Sequence, residues 1–465
     1  MEDSMETARR LAQKVAGAGG RTFFVGGFVR DRLLGIHNKD VDVEVHGIAA
    51  RTLEEILDTL GQRTQMGLSF GVYGLKHCSL DIAMPRKEQA TGRGHRDFTV
   101  YTDPFLGPEK AARRRDFTVN ALMEDVLTGE IVDPFGGRRD LEKGILRHVS
   151  DDSFPEDPLR VLRGAQFAAR FGFRVAEETV RFCKTMDLSA LPRERVLGEL
   201  QKALEKAPRP SVFFEVLRQM EQLTVWFPEL QTLIGVPQDP VHHPEGDAWT
   251  HTMAVLDAAA GLREAAEHPR YLLMAALCHD LGKAETTVTI ENRVRSIGHE
   301  EAGLTIAQRL LDRLGVPREE KKYVQNMVLL HMRPNALAGC DAGVKSTNKL
   351  FDSALCPEDL ILLARADRLG QKKDPAVEEA WLRSRLESYR ETMAKPYVMG
   401  RDLLEMGFAP DARFSQALAY AHKLRLAGVE KADALKQTVG YLRKLQEESH
   451  TVPKTGKVWL QTVKK

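Results

Sequence analysis

The chain has 465 residues, of which 43% are hydrophobic and 29% are charged, and its formal net charge is +1. This length is too great for one hydrophobic core and predicts roughly three domains, and the composition is that of an ordinary soluble globular protein. The balanced charge excludes a globally basic nucleic-acid-binding protein, so any contact with RNA or DNA has to come from local patches.

The sequence carries no signal for export or membrane insertion. The stretch MEDSMETARR is acidic and amphipathic, unlike a signal peptide, and no apolar run reaches the length of a membrane span. The five cysteines are scattered without a C-x-x-C pair, which is typical of a reducing compartment. We therefore expect a cytoplasmic protein that makes no contact with a membrane.

Strand-like and helical patterns alternate in the first 145 residues, whereas strand signals almost vanish from about residue 151 onward. In the first part we predict strands at Phe23–Val25, Val41–Val45, Val72–Leu75 and Leu80–Ala83, and helices at Phe28–Leu34 and Arg51–Leu60. Beyond it we predict helices at Leu159–Phe171, Glu194–Leu204, Val212–Leu223, His251–Ala260, Tyr271–Leu281, Glu301–Leu314 and Pro357–Leu369.

Pro- and Gly-rich breaks divide the helical part at 205–211, 235–247 and 332–343. The pattern predicts an α/β head (1–145), a helical neck and body (146–235), a second helical domain (236–375) and a C-terminal helical region with a basic tail (376–465).

Closely spaced acids mark the segment FFVGGFVRDRLLGIHNKDVDVEV, residues 23–45. Its valines alternate with Asp40, Asp42 and Glu44, so the valines can enter a core while both aspartates point the same way. Neighbouring carboxylates repel unless water or a cation screens them. A solvated strand face is one explanation; the other is a pair of divalent ions roughly 3.5–4 Å apart, with Asp81 as a candidate third carboxylate from a neighbouring strand.

The glycine pair Gly26-Gly27 separates the first predicted strand from a helix. Glycine there lets a phosphate approach the backbone, and the helix N-terminus offers N–H groups to an anion. Arg30, one turn into the helix, is placed to cover a triphosphate. A tight strand-to-helix turn explains the glycines equally well. The chain has no G-x-x-x-x-G-K-[ST] sequence, so it is not a P-loop protein.

Further motifs follow in RRRDFTVNAL (113–122) and FPEDPLRVLRGAQFAARFGF (154–173). Together with GGFVRDRLLG and DVD, they resemble the class II tRNA nucleotidyltransferases, which are the CCA-adding enzymes and their bacterial poly(A) polymerase relatives. The resemblance implies a polymerase-β-like nucleotidyltransferase head that uses Mg²⁺, with ATP and CTP as substrates and tRNA as partner.

The resemblance also implies roles for individual residues. Asp40 and Asp42 would hold the metals; Gly27, Arg30 and Arg115 would contact the phosphates and sugar; Asp116 and Asn120 would order the site and the ribose; Asp157 and Arg160, with Arg163 beside them, would read the base. Asp157 is equally suited to cap a helix with Pro158 in its first position. Gln166 stands where family members often carry arginine, so we expect no role for it beyond the helix stripe.

Base reading by a carboxylate and an arginine selects C and A. Both bases present an exocyclic amine to a carboxylate, whereas U and G present a carbonyl and leave polar groups unpaired. The segment 64–75 lacks the basic run usual in poly(A) polymerases, and the segment 84–104 resembles the flexible loop of enzymes that add C, C and A. We expect full CCA addition, with CC-only, A-only and poly(A) addition as alternatives.

A second constellation lies in the helical part, where His251, the doublet His279-Asp280 and Asp367 all fall on predicted helices. A single histidine on an apolar helix is usually a packed core residue, but this set resembles the ligands of HD-superfamily metal-dependent phosphohydrolases. The resemblance implies a site for Mg²⁺, Mn²⁺ or Ni²⁺ that acts on phosphoesters such as 2′,3′-cyclic phosphates or 2′-nucleotides.

Three more residues complete this second prediction. Lys283, one turn after the doublet, is placed to meet a phosphate, and His299 and His331 are expected to form a second-metal or phosphate-binding pair. The competing hypothesis of another class makes the HD site the main enzyme and the head an RNA-binding module. The intact head motifs argue against it.

Overall fold

The computed structural model describes residues 2–38, 40–65, 72–76, 78–90, 98–291 and 293–450. It divides into two compact units, Met1–Val236 with Ile306–Pro317 and Pro237–Thr305 with Arg318–Lys465. Within the described ranges, no helix combines the length and the apolar character needed to cross a membrane.

The first unit contains the α/β head and the helices that follow it. Its strands are β1 (Arg21–Val25), β2 (Val41–His46), β3 (Arg63–Gln65), β4 (Val72–Leu75), β5 (Cys78–Ala83), β6 (Arg86–Ala90), β7 (Phe98–Thr102), β8 (Met123–Asp125), β9 (Ile131–Val132), β10 (Ile145–Leu146) and β11 (Arg174–Val175). Its helices are α1 (Glu2–Gly17), α2 (Gly27–Leu33), α3 (Ala50–Leu60), α4 (Pro108–Ala112), α5 (Gly137–Glu142), α6 (Leu159–Phe171), α7 (Glu177–Cys183), α8 (Arg193–Lys206), α9 (Ser211–Gln219), α10 (Leu223–Trp226) and α11 (Pro228–Gln231).

A seven-stranded sheet in the order β3-β4-β5-β2-β1-β8-β9 forms the centre of the head. β2 runs parallel to β5 and antiparallel to β1. As the alternation predicted, Val41, Val43 and Val45 are buried, while the intervening Asp42 is only partly covered. The valines therefore fasten β2 into the core and leave its acidic side available to a site.

Some strands of the head were not predicted from the sequence. β8 and β9 extend the sheet beyond β1, although their short segments carry little alternation. The prediction of a flexible loop over 84–104 is wrong in part, because β6 and β7 pair as an antiparallel hairpin. Residues 91–97 of that stretch, residues 66–71 of the segment 64–75 and the basic tail 451–465 lie outside the described residues.

Helices dominate the rest of the chain, as predicted, with local differences. The helix expected over Val212–Leu223 ends at Gln219, because Glu221 adopts a left-handed backbone with φ 57° that no α-helix accommodates. Short strands also persist after residue 151: β11 pairs with β10, and β12 (Val288–Ile290) pairs with β13 (Arg293–Arg295).

The second unit is built mainly from helices. They are α12 (Ala248–Gly261), α13 (Pro269–Cys278), α14 (Lys283–Thr286), α15 (His299–Leu314, of which the residues from Ile306 belong to the first unit), α16 (Arg318–Leu330), α17 (Met332–Gly339), α18 (Val344–Ser353), α19 (Pro357–Gly370), α20 (Ala376–Ala394), α21 (Gly400–Glu405), α22 (Ala412–Leu426) and α23 (Lys431–His450). α12 packs against α13 and α19.

Candidate functional site

A cavity of about 710 Å³ in the first unit joins the acidic side of the sheet to helices α6 and α8. Asp42 of β2 lies directly beside Asp81 of β5 in the parallel register, and both line this head cavity. Burial, and then the charge of Asp81, raises the pKa of Asp42 to about 6. Two adjacent carboxylates with too little compensation are a donor set that suits a divalent cation.

Asp40 differs from the expectation that it shares a strand face with Asp42. It lies one residue before β2, is exposed, and does not line the head cavity. Its backbone N–H donates to Oδ1 of Asn38 at 3.0 Å, so a local turn sets its position. Of these three aspartates, Asp42 and Asp81 are thus the two that line the cavity, while the charge of Asp40 still raises the pKa of Asp42, so Asp40 lies near the pair.

Gly26 has to be glycine for two reasons. Its φ of 64° lies in the left-handed region, and a Cβ built on it would lie 2.6 Å from Nη1 of Arg115. Arg115 passes over this turn with Nη2 at 3.7 Å from Oε2 of Glu44. The neighbouring Gly27 begins α2 and also lines the cavity.

Glu44 is a residue that the alternating pattern placed with the aspartates but that has a different environment. It is buried and lies 2.8 Å from Nε2 of His46. Burial raises the pKa of Glu44, but the hydrogen bond with His46 and the charge of Arg115 outweigh it and hold that pKa below its usual value. Glu44 thus stays charged where it can hold Arg115 over the cavity.

Four of the predicted nucleotide-binding residues form one hydrogen-bonded chain. Arg30 donates from Nη1 to Oδ1 of Asn120 at 2.6 Å, and Asn120 donates from Nδ2 to Oδ1 of Asp116 at 2.9 Å. Nε of Arg163 donates to Oδ2 of Asp116 at 2.8 Å, and its Nη2 lies at the same distance. Burial raises the pKa of Asp116, but Arg163 and Asn120 reverse the effect and keep that pKa below its usual value.

The Arg30 guanidinium is held tightly inside this chain. It is buried, pairs with Asp31, and lies over the rings of Phe167 and Phe171. It lines the head cavity, yet most of its donors are directed at protein groups. The motif predicted that Arg30 belongs to the nucleotide site. Nothing in the sequence indicated separately that Asp31 would hold Arg30 in place.

Asp157 binds the start of α6 and an arginine of α8 at once. Its Oδ1 accepts the backbone N–H of Leu159 at 3.1 Å, and Arg195 reaches its two oxygens at 3.2 and 2.8 Å. The N-cap of α6 is Pro158 rather than Asp157, so the predicted cap position is off by one residue. Arg195 was missed because it lies outside the three motifs.

Arg160 and Gln166 also line the head cavity. The guanidinium of Arg160 donates to the carbonyls of Ser153 at 2.5 Å and Arg114 at 2.6 Å, which fixes its plane beside Asp157. Gln166 is buried, and its Nε2 finds no hydrogen-bond partner in the described part of the chain. Its place at the cavity differs from the expectation that it only contributes to the helix stripe.

The second unit brings all six predicted ligand residues into one buried group, which we call the histidine cluster: His251, His279, Asp280, His299, His331 and Asp367. His251 lies on α12, His299 at the start of α15, His331 in the turn before α17, and Asp367 on α19. The helix predicted over Tyr271–Leu281 ends at Cys278, so His279 and Asp280 lie in the turn after α13 rather than on a helix. Side chains that are distant in sequence meet here because helix ends converge.

The cluster contains two triads of ligand residues, and Asp280, a member of the second triad, also lies close to the first. The first triad is His251, His279 and Asp367; the second is Asp280, His299 and His331. Oδ2 of Asp280 lies 3.4 Å from Nε2 of His251 and 3.2 Å from Nε2 of His279. Its Oδ1 lies 3.3 Å from Nε2 of His299 and 3.6 Å from that of His331. One carboxylate can therefore serve both triads.

Bound protons and cationic groups, including the proton of His251 and the ammonium of Lys283, compensate the acids of this cluster. Burial lowers the pKa of His251, but hydrogen bonds to Asp367 and Glu245 outweigh burial and raise it to about 9. Burial raises the pKa of Asp280, but His279 and Lys283 reverse this and hold that pKa well below its usual value. Neutral imidazoles and charged carboxylates are the donors that divalent transition metals prefer, so the set fits a metal that would replace those protons.

A cavity of about 740 Å³ opens onto the histidine cluster within the second unit. Lys283 lines it, with Nζ 2.6 Å from Oδ2 of Asp280 and 2.6 Å from Oε1 of Gln238. Arg295, Arg368 and Lys373 line the same cavity and add positive charge. The combination of a metal-type donor set with surrounding cations suits a phosphate group.

Comparison with known proteins matches two parts of the chain to known domain families. Residues 22–147 match the model of the poly A polymerase head domain, and residues 248–370 match that of the HD domain. The fold resembles that of the Thermotoga maritima CCA-adding enzyme complexed with tRNA, with TM-score 0.63, 20% identity and coverage of 94% of this chain and 95% of that one. A CCA-adding enzyme in complex with ATP gives TM-score 0.66 at 20% identity, covering 95% and 96%.

Curated relatives are similar over most of their length. The multifunctional CCA protein of Actinobacillus pleuropneumoniae serotype 5b (strain L20) is 41% identical over 323 residues, covering 68% of this chain and 76% of that protein. That of Methylococcus capsulatus (strain ATCC 33009 / NCIMB 11132 / Bath) is 38% identical over 432 residues, covering 89% and 95%. With an α/β nucleotidyltransferase head and an HD domain in one chain, this protein belongs to the family of multifunctional CCA proteins.

Proposed function

We propose that the chain adds C, C and A to the 3′ end of tRNA, using CTP and ATP as substrates and no nucleic-acid template. The observation that carries this proposal is the head cavity, where the Asp42–Asp81 pair lies with residues of all three motifs. The names of the curated relatives and the tRNA, ATP and CTP complexes of proteins with this fold support the choice of substrates.

Asp42 and Asp81, with Asp40 at the edge of β2, would hold Mg²⁺ in the head. Bound Mg²⁺ supplies activation of the attacking 3′-hydroxyl and neutralisation of the triphosphate. Arg115, held over Gly26, is placed to bind phosphate oxygens, and Gly27 leaves room for them at the backbone. Asp116 and Asn120 would orient the ribose, because Arg30 and Arg163 fix both side chains from opposite ends of the chain of hydrogen bonds.

Asp157 and Arg160 would select the incoming base. Asp157 accepts an exocyclic amine of C or A, and Arg160 donates to a ring nitrogen or carbonyl. In the structure both oxygens of Asp157 face Arg195, so an incoming amine has to compete with a half-exposed arginine for this carboxylate. U and G would place a carbonyl against Asp157 and leave buried polar groups unpaired.

CTP and ATP together, one of them labelled, with Mg²⁺ and with tRNAs that end before the first C, after CC and after CCA, test this proposal. Full CCA addition extends the first substrate by three nucleotides and the second by one A, and leaves the third unchanged. CC-only, A-only or poly(A) addition each gives a different product length. Asp42→Ala is expected to abolish addition while the fold persists, and near wild-type addition by this variant would contradict the metal assignment.

We further propose that the histidine cluster holds divalent metal and hydrolyses phosphoesters, on substrates of the 2′,3′-cyclic phosphate or 2′-nucleotide class at RNA ends. The first triad would hold one ion together with Asp280. The second triad, which includes Asp280, would hold a second ion or a phosphate group. Mg²⁺, Mn²⁺ or Ni²⁺ bound there supplies polarisation of the phosphoester and activation of water. Lys283 is placed to contact a phosphate oxygen.

The double substitution His279→Ala with Asp280→Ala separates the two activities. It removes one member of each triad, so phosphoester hydrolysis should vanish while CCA addition survives on the metals of the head. Hydrolysis is measured on 2′,3′-cyclic AMP and 2′-AMP with each cation in turn. A wild-type chain that hydrolyses neither compound with any of the three cations would leave the cluster with a structural role only.

A further inference from the structure

The histidines of the cluster share one orientation. Nε2 of each ring faces the interior of the cluster, while Nδ1 faces an acceptor outside it. For three rings the acceptor is the backbone carbonyl three residues earlier: Ala276 for His279 at 2.7 Å, Ser296 for His299 at 2.7 Å, and Val328 for His331 at 2.6 Å. A neutral ring that donates from Nδ1 presents a lone pair at Nε2, which is the form that binds a cation.

His251 is oriented by a side chain instead. Its Nδ1 lies 2.7 Å from Oε1 of Glu245, a residue of the loop before α12. The Glu245 side chain is 2% exposed, and the same Oε1 lies 2.9 Å from Nδ1 of His243. Its Oε2 has no hydrogen-bond partner among the residues that the structure describes. Burying a carboxylate is costly unless it is paired, so its position against His251 indicates a specific task.

We propose that Glu245 is a positioning residue of the HD site, which sets the tautomer and the ring angle of His251 for metal binding. By accepting a hydrogen bond from Nδ1–H, it leaves the lone pair of Nε2 directed at His279 and Asp367, which lie 3.4 and 3.1 Å away. A carboxylate acceptor also makes the ligating nitrogen more basic than a carbonyl does. This inference rests on the proposed binding of metal by the cluster.

Glu245→Gln tests it with the full chain and with Ni²⁺ or Mn²⁺ alone, by competition against a chromogenic chelator. The new amide can donate to Nδ1 and thereby favours the wrong tautomer of His251, so metal affinity should fall roughly 10- to 100-fold. The matched control is Glu300→Gln. Glu300 is a carboxylate 3.5 Å from Nδ1 of His299, whose proton already goes to Ser296. This control removes the same charge but no orienting bond, and it should leave the affinity unchanged.

The outcomes separate the two proposals. If the wild type binds neither cation, metal binding by the cluster fails and the positioning role fails with it. If the wild type binds and Glu245→Gln binds equally tightly, or if Glu300→Gln loses as much affinity, only the positioning role is overturned. Nucleotide addition by the head of each variant reports whether that preparation is active.

A second measurement does not depend on how the variant folds. Nitrogen NMR of the wild type with ¹⁵N-labelled histidine rings should show the proton of neutral His251 on Nδ1, with the signal assigned by its loss in His251→Asn. A neutral His251 ring that carries its single proton on Nε2 instead of Nδ1 would overturn the positioning role directly.

Discussion

Asp157→Ala removes a carboxylate that contacts the start of α6 and Arg195, and that is proposed to read the incoming base. Losing the hydrogen bond to the first helical N–H should cost about 1 kcal/mol of the free energy of unfolding. The pair with Arg195 adds at most about 1 kcal/mol, because the side chains of Arg195 and Asp157 are 35% and 27% exposed. We therefore expect a loss of about 1–2 kcal/mol, measured by urea unfolding.

The effect on base choice should be larger and separable from stability. A buried polar group left unpaired by the wrong base costs about 1–3 kcal/mol, which corresponds to roughly 5- to 150-fold discrimination against U and G. Asp157→Ala should lose most of that factor when CTP, ATP, UTP and GTP are compared on tRNA lacking its 3′ end. The apparent affinity for triphosphate should change less, because Arg115 and the Asp116 chain remain.

Arg195→Met is the matched control for this prediction. It removes the ion pair but keeps the carboxylate and its contact with Leu159, so stability should fall by less than about 1 kcal/mol and base choice should persist. The double variant then measures the coupling of the two residues. If Asp157→Ala loses stability but keeps its preference for C and A, Asp157 only stabilises the helix start and the base-reading assignment is wrong.

The remaining predictions concern single contacts. In metal-free protein, Asp42→Asn should raise the melting temperature relative to wild type, and the difference should grow from pH 4 to pH 6. The pKa of Asp42 is raised to about 6 in the folded chain, so the wild type loses stability as this carboxyl ionises, whereas the amide does not titrate. A melting-temperature difference that is constant over that range would contradict this prediction. Gly26→Ala and Gly35→Ala should cost similar stability, since both have positive φ, but only Gly26→Ala should impair nucleotide addition, because its added Cβ would displace the Arg115 guanidinium, whose Nη1 lies 2.6 Å from that position; equal nucleotide addition by the two variants would refute the steric argument. Tyr323→Phe removes the donor 2.7 Å from Oδ2 of the buried Asp359 and should cost about 1 kcal/mol in thermal unfolding, with neither activity changed.

Sequence patterns predicted the elements whose burial repeats regularly along the chain. α6 and β4 have the predicted bounds, and the alternating valines of β2 are buried as expected. Elements that depend on long-range pairing gave little local signal, so β8, β9 and the β6–β7 hairpin were missed. The break in the helix at Glu221 depends on a left-handed backbone that the side chain does not favour by itself.

The sites show the same limit at the level of side chains. Motif spacing placed Asp42, Asp116 and Asp157 at one cavity, because neighbouring motifs fold into neighbouring elements. It did not indicate the contact of Glu44 with Arg115, since the alternation grouped Glu44 with the aspartates. It also did not indicate the contact of Glu245 with His251, since Glu245 lies in a Pro-rich loop. Residues that orient a ligand need only one correct contact in the folded chain, and such contacts follow no period in the sequence.

The two acidic sites hold their charge in different ways, and this difference follows from their supporting elements. In the head, strand register forces Asp42 beside Asp81, and the pKa of Asp42 rises because burial and the neighbouring charge outweigh Arg115. In the histidine cluster, helix ends bring imidazoles to Asp280, whose pKa falls as His279 and Lys283 outweigh burial. The Asp42–Asp81 pair is therefore left under-compensated until a cation arrives, whereas a cation that binds Nε2 of His251, whose pKa is raised to about 9, has to displace the proton held there.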